Sequence, residues 1–488
     1  MCRMFLRSLL FSVIVVSFVR AADLASVADG KADAAPVIQQ MIDAGGGALV
    51  LPKGVYRLSQ SIVIDLDKVG RTSLNGQGVA RLVMAGSGAA VKVVGTHLQG
   101  SAAPDSLKDN VWDRQLMPLI DGLEIVGEHA EADGIEAIGT HEITITRTTV
   151  HHCRHAVHLV ERNRNVIINA CHLYKNSGIG VFYDNVNLHQ SNITGCHISY
   201  CYGGGVVSHA GNVRNVQISG CDIESNMAPS IPPAADAPPP ASVPPVADAS
   251  PAASVPPSSN VLLDSTGGSI GEVAITGCTL QHSSKSPGGA NVRIIGAGDD
   301  PSLERRTGGK FTREGNVTIA DNVFSDVQIN VDITDARGVT ITGNTFWEGF
   351  QHDLLLKNSS HIVIANNNFD RNPRYLVNGF NAAENNGILI SASEDCSFQG
   401  NVVSGVHRQR AAVDLVDCSR FNIAHNTILD SDGVGIRLEN VRRSLIADNI
   451  IRDDREGDLK SKEPSLHIIG GSDNLIGSNL LGNAKKVE

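Results

Sequence analysis

Asp332, Asp353 and Lys357 are the side chains whose types and spacing best suit bond-breaking in this chain. Two carboxylates about 8 Å apart leave room for a water between an acid and a base, the arrangement of an inverting glycoside hydrolase. The lysine offers a second chemistry. It could take the proton next to a uronate carboxylate while Asp332 and Asp353 hold a calcium ion that neutralises that acid. Arg371, Arg374, Arg408 and Arg410 lie in two longer connections, and their guanidinium forks suit carboxylate or sulfate groups. Tyr375 could stack on a pyranose ring. The competing reading is an ordinary solvated face, on which exposed charges only balance one another. His151, His152, His155 and His158 have a spacing that invites zinc. Strand alternation, however, sends His155 and His158 to opposite faces, and only Cys153 stands by as a soft donor.

A short repeat must position these residues. Two apolar positions one residue apart are followed by a turn pair and a further apolar residue, as in Val339-Thr340-Ile341-Thr342-Gly343-Asn344-Thr345-Phe346. The sixth residue of the repeat is Cys196, Cys221 and Cys278 in earlier copies and Asn322, Asn344, Asn367, Asn401, Asn426 and Asn449 later, recurring roughly every two dozen residues. A strand-type repeat of that length cannot bury its apolar face alone, so successive copies must stack. A leucine-rich repeat shares the period but needs a Leu-dominated consensus, which is missing. The solution is a right-handed parallel β-helix with one coil per repeat and coils roughly 4.8 Å apart. The recurring Asn then tolerates a left-handed corner and hydrogen-bonds its copy on the next coil. The cysteines at the same position read as free, packed thiols, although adjacent coils could bring Cys196 and Cys221 within disulfide reach.

In this register the residues preceding Ile333, Leu356, Ile390, Leu415, Leu438 and Ile468 point outward on one sheet. They are Asp332, Leu355, Leu389, Asp414, Arg437 and His467. Stepping two residues either way adds Asn330 and Asp353 on one side and Lys357 on the other. Asp414 and Arg437 fall on adjacent coils as a ladder ion pair, or as sugar-binding subsites.

Across 488 residues, 42% are hydrophobic but only 4% aromatic, so the core is expected to consist of small and β-branched side chains. A net charge of −11 is the wrong sign for neutralising nucleic-acid phosphates. Arg3 and Arg7 before the apolar stretch Leu9 to Val19 read as a secretory signal peptide over residues 1–21, an uncleaved anchor being the alternative; no span is expected after it. Residues 22–488 read as one β-helix domain. A short N-terminal helix caps it, with Asp33 before the helix and Ile38 and Ile42 on its apolar face. Eleven of the 19 prolines fall in a solvated inserted loop at 227–259.

The opening Asp29-Gly30-Lys31-Ala32-Asp33, with Gly46-Gly47-Ala48-Leu49-Val50-Leu51-Pro52-Lys53-Gly54, and the coil repeat together resemble the pectate-lyase-like superfamily over nearly the whole mature chain. The resemblance implies an all-β, single-stranded right-handed β-helix that is secreted, periplasmic or at the cell surface. It also implies that polysaccharide is handled along one face. The reaction is left open, because that superfamily holds lyases, hydrolases, epimerases, tailspikes and noncatalytic members. The polygalacturonase set, the Asp-Pro-His-Asp run of alginate epimerases and the Arg-Ile-Pro pattern of classical pectate lyases are all missing. The expectation is therefore a protein that binds, and acts as lyase or hydrolase on, an anionic polysaccharide, with Asp332, Asp353 and Lys357 catalytic. Arg371, Arg374, Tyr375, Arg408, Arg410, Asp414 and Arg437 would bind substrate, and calcium is an optional partner of Asp332 and Asp353. The alternative is a noncatalytic carbohydrate-binding or cell-surface structural β-helix.

Overall fold

The computed structural model describes residues 24–100, 103–227, 258–296, 314–372 and 385–488. The expected signal peptide, most of the Pro-rich loop, and Arg374 and Tyr375 lie outside the described residues. Chain contacts divide the protein into Met1–His197 and Ile198–Glu488, and each unit is a stack of parallel β-coils.

Alternation explains why these segments are strands. In the second unit Ala290–Ile295, Val327–Thr334, Gly349–Lys357, Gly387–Ser391, Ala411–Val416, Val434–Glu439 and Leu466–Ile469 pair in parallel as one sheet. Every second residue along them, such as Val331, Ile333, Leu354, Leu356, Val413 and Leu415, is fully buried. Two shorter strands complete each coil, as Arg337–Thr342 and Thr345–Phe346 do after Val327–Thr334. In the first unit the equivalent sheet runs through Ile62–Asp65, Gly88–Val94, Ala132–His141, Val157–Asn169 and Ile179–Thr194. The helix Ala35–Asp43 buries Ile38 and Ile42, and Asp33 accepts the Ala35 N–H at its start.

The tight corner in each coil is where backbone groups risk burial without partners, and the asparagine ladder answers that. Asn367 Oδ1 accepts from both the backbone N–H and the side-chain amide of Asn344 at 3.0 Å. Asn367 Nδ2 in turn donates to Ile341 O, Ala365 O and Asn401 Oδ1 at 3.0–3.1 Å. The same bonds recur at Asn322, Asn401, Asn426 and Asn449. One expectation is corrected. The left-handed residue is the one before the ladder asparagine, namely Asp321, Gly343, Asn366, Gly400, His425 and Asp448, with φ between 56° and 68°. The asparagine is therefore selected for its amide, not for its backbone freedom.

At the equivalent corners Cys171, Cys196 and Cys278 donate Sγ–H to carbonyls two residues back and on the preceding coil, at 3.3–3.7 Å. All eight described cysteines are buried, and none is in a disulfide. A second correction concerns aromatics. Phe324, Phe346 and Phe369 stack inside the second unit with ring centroids 4.9 and 4.5 Å apart, one ring per coil. Few aromatics suffice when each is spent on a stacked interior rung.

Replacing Asn367 with Ala strips an acceptor from two buried donors, at about 1–3 kcal/mol for each group left unpaired. Asn479→Ala removes the equivalent acceptor at a half-exposed rung, where water replaces it. Chemical denaturation is expected to show a loss of roughly 2 kcal/mol or more for Asn367→Ala and well under half of that for Asn479→Ala.

Candidate functional site

The outward column on the second unit's sheet has the register that the repeat spacing predicts. Asp332 pairs with Leu355, Leu355 with Leu389, Leu389 with Asp414, Asp414 with Arg437, and Arg437 with His467. Its charges are mutually engaged. Asp332 accepts from Arg293 Nε at 2.9 Å. Asp414 accepts from Arg437 at 3.1 Å and also from Arg410, and Arg437 reaches Glu439 at 2.6 Å. Lys357 is exposed, Arg408 is exposed and donates its backbone N–H to Asp432, and Arg371 is half-buried.

Asp353 is not on that face. It is fully buried and accepts from Asn330 Nδ2 at 2.8 Å and from Asn386 Nδ2 at 3.1 Å. The expected triad of Asp332, Asp353 and Lys357, and the calcium site shared by the two aspartates, therefore do not form. The physical reason is a slip in the ladder. Ile329 pairs with His352 and Val331 with Leu354, but His352 pairs with Gly387 while Leu354 pairs with Ile388. Counting back by twos from Leu355 crosses this irregularity, where alternation fails. Asn330, Asp353 and Asn386 turn inward as rungs of a second polar ladder that begins Asn226, Asn260, Asn291. Burial without a cation pushes the Asp353 carboxyl up to about 6 despite its amide donors.

A different constellation stands on the first unit's outward face. Lys92 pairs in register with Glu136, Glu136 with His158, and His158 with Phe182. Their flanking residues Val91, Val93, Ile135, Ala137, Val157, Leu159, Val181 and Tyr183 are buried in the coil interior, which turns these four side chains to the other face of the sheet, where His158 is itself buried, at 9% exposure. Lys92 Nζ lies 2.6 Å from Glu136 Oε1. His158 is bracketed by two acids, with Nε2 3.0 Å from Asp184 Oδ2 and Nδ1 3.8 Å from Asp133 Oδ2. Phe182 stacks on the His158 ring, 5.3 Å away and nearly parallel. Asp133 is buried and accepts two bonds from Arg154, at 2.9 and 2.7 Å, and the His155 N–H at 3.0 Å.

The zinc spacing resolves here, with a correction. His155 and His158 do not face opposite ways; their rings are 5.2 Å apart. His155 precedes the strand Val157–Asn169, so strand alternation does not govern it. Its Nδ1 accepts the Ile179 N–H at 3.1 Å, which leaves the ring hydrogen on Nε2. His151 and His152 belong to another sheet, where His151 stacks on Tyr174 and reaches Glu124. The four histidines share no donor set.

The electrostatics separate the two imidazoles. Burial pulls His155 down to about 4, outweighing the nearby carboxylates, so it is neutral. Burial also opposes charge on His158, but Asp133 and Asp184 outweigh it and raise its pKa. Burial would raise Asp133, yet His158, Arg154 and the His155 N–H hold it far below the usual carboxylate range. Donor atoms of Asp133, Glu136 and His158 lie within 4.8 Å of one another, close enough for a cation. Arg154 and Lys92 already neutralise both carboxylates, so the set is better described as an acid–base network. The signal for it was in the sequence: Gly134-Ile135-Glu136-Ala137 puts a charge between apolar residues just after a glycine, as Gly435-Ile436-Arg437-Leu438 does later.

Residues 95–234 match the family model described as a right-handed β-helix region, and residues 303–488 match one described as a periplasmic copper-binding protein, NosD. No curated protein matches the chain. Among solved structures, the A-module of mannuronan C-5 epimerase AlgE6 from Azotobacter vinelandii is similar at 14% identity and TM-score 0.39, covering 95% of this chain and 97% of that one. The tailspike protein of E. coli bacteriophage HK620 in complex with pentasaccharide is 12% identical, with TM-score 0.45 and coverage of 92% and 75%. The bacteriophage CBA120 tailspike protein 3 is 13% identical, with TM-score 0.39; the chain spans 59% of its length. The fold is the right-handed parallel β-helix implied by the pectate-lyase-like resemblance. Among the described residues no helix is long and apolar enough to cross a membrane.

Two titrations follow from this geometry. The folded chain binds the Asp353 proton more tightly than the unfolded chain does. That stability contribution is full below pH ~4 and is lost as pH rises to about 6. Asp353→Asn is expected to abolish this pH dependence in denaturation curves recorded from pH 4 to 8, and to cost about 1–3 kcal/mol because its NH2 group cannot accept from the second of the two amide donors. The His158 imidazole is expected to titrate above the ordinary histidine value by NMR, and Asp184→Asn to move it downward; an unchanged midpoint would remove Asp184 as its partner.

Proposed function

We propose that this chain is a secreted or periplasmic β-helix protein that binds an anionic polysaccharide. We further propose that it acts on the polymer by proton transfer, as a lyase or hydrolase, at Lys92, Glu136, His158 and Asp184. The observation that carries the reading is the bracketed His158 beside the Lys92–Glu136 pair, all on one outward column. Rungs about 4.8 Å apart carry an ammonium, a carboxylate and an imidazole in line with a chain lying along them. Lys92 and Arg154, with His158 held toward its protonated form by Asp133 and Asp184, suit the acid groups of a uronate polymer. Glu136 is the group placed to take a proton, and Phe182 adds an apolar face for a sugar ring. Exposed Lys357, Arg408 and Arg410 are proposed as contacts for acid groups on the second unit.

A noncatalytic binding role is the second reading. It is favoured by the fact that Glu136 and Asp133 each already hold a cation. The copper in the name of the family matched by residues 303–488 finds little support in the residues. That stretch has no methionine, and its thiols Cys396 and Cys418 donate to Glu394 O and Val416 O.

Purified protein incubated with a panel of uronate and sulfated polysaccharides, with and without chelator, is expected to release unsaturated or reducing-end products. Glu136→Gln and His158→Gln should each cut turnover by about 10²–10⁴-fold with an unchanged circular dichroism spectrum. Binding without product across the panel would leave the noncatalytic reading; full activity in both variants would move the site elsewhere.

A further inference from the structure

Two guanidiniums in the first unit are buried without an ion-pair partner among the described residues. Arg162 and Arg164 are 7% and 5% exposed. Arg162 donates to Gly100 O. Arg164 donates to Asn163 O, Asn187 O and Asn187 Oδ1 at 2.7–2.8 Å. These acceptors are neutral, so they satisfy hydrogens without cancelling charge, and Nε of both side chains has no acceptor at all. Leaving buried charge uncompensated is among the most costly arrangements a fold can carry.

Two histidines complete the enclosure. His141 stands on the rung next to Arg164, and His97 packs edge-on against it with ring centroids 5.4 Å apart. Both are almost fully buried, and His97 Nε2 and both ring nitrogens of His141 lack hydrogen-bond partners. The connection after Gly88–Val94 carries His97 and is tied down beside His141 by the His97 N–H on Gly139 O at 2.9 Å and by a bridge from Leu116 to His141. Lys108 adds a further positive charge near His97. The acid that faces the group is Glu142, whose carboxylate is part-exposed and 3.8 Å from His141 Nδ1. Burial first, and then Arg162 and its cationic neighbours, holds His97 near 4, so the imidazoles are neutral but can each donate one ring hydrogen.

We propose that Arg162, Arg164, His97 and His141 form a binding site for a small oxyanion of the sulfate or phosphate type. Two forked cations and two ring donors gather where the described residues bring one carboxylate, Glu142 at His141, and pair none with either arginine. The burial of all four side chains favours a free ion over a group carried on a polymer. The site is separate from the His158 column and does not depend on its function.

The test uses the whole chain in thermal unfolding at constant ionic strength, with sodium sulfate or phosphate replacing chloride. A saturable rise in Tm of roughly 2–4 °C beyond chloride is expected. Arg164→Gln should abolish that increment, while Glu136→Gln, in the other site, should retain it. If Arg164→Gln does not fold, the wild-type imidazoles decide: His97 and His141 NMR titrations should move upward when sulfate is added, because an adjacent anion favours the charged ring. A sulfated oligosaccharide that protects at lower concentration than inorganic sulfate would overturn the free-ion assignment. Equal Tm in sulfate and chloride with unmoved imidazoles, or a full sulfate increment in Arg164→Gln, would overturn the site itself.

Discussion

Everything in this protein depends on the hydrogen bonds that tie one coil to the next at its corners. A parallel coil leaves backbone N–H groups in a tight, dry bend, and each must find an acceptor one rung away. The Asn322 to Asn479 series supplies that acceptor with a side-chain oxygen that takes two donors at once. Because the bonds are specific in position, they fix register as well as stability. Register then determines which residues meet on the outer sheets.

That dependence explains what could be read from the sequence. The column from Asp332 to His467 was legible because uninterrupted alternation carries it from coil to coil. Asp353 was not, because it lies at a slip that pattern counting cannot see; one displaced pairing turned a supposed catalytic acid into an interior rung. His155 is illegible for a related reason: it precedes its strand, so alternation does not reach it. The Lys92, Glu136 and His158 column was legible in principle. Its coils lie early in the chain, where the corner position holds Thr148 and Cys171 in place of asparagine and the repeat is less conspicuous. The unpartnered charge of Arg162 and Arg164 carries no sequence signal, because only three-dimensional enclosure distinguishes a buried arginine from a solvated one.

The two outward faces also differ in how their charges are disposed. On the second unit, Asp414 is shared by Arg410 and Arg437, and Arg437 extends to Glu439, so attraction runs along the surface and holds it rigid. On the first, an imidazole is held between carboxylates under an aromatic ring, with a separate lysine–glutamate pair alongside. The first arrangement stiffens a wall. The second keeps protons near groups of contrasting basicity, which is what proton-transfer chemistry requires.

The inner ladder that ends at Asp353 has one further implication. A row of amides has an arrow, since every rung gives hydrogen to the next and receives it from the one behind. From Asn226 to Asn330 the arrow runs toward Asp353, and from Asn386 it runs back to meet it. A carboxylate has no direction of its own, so it can close both runs where an asparagine would have to choose. That single residue therefore ends the Asn226 to Asn330 run and takes the Asn386 amide from the opposite side, so the row terminates without leaving either donor unmet.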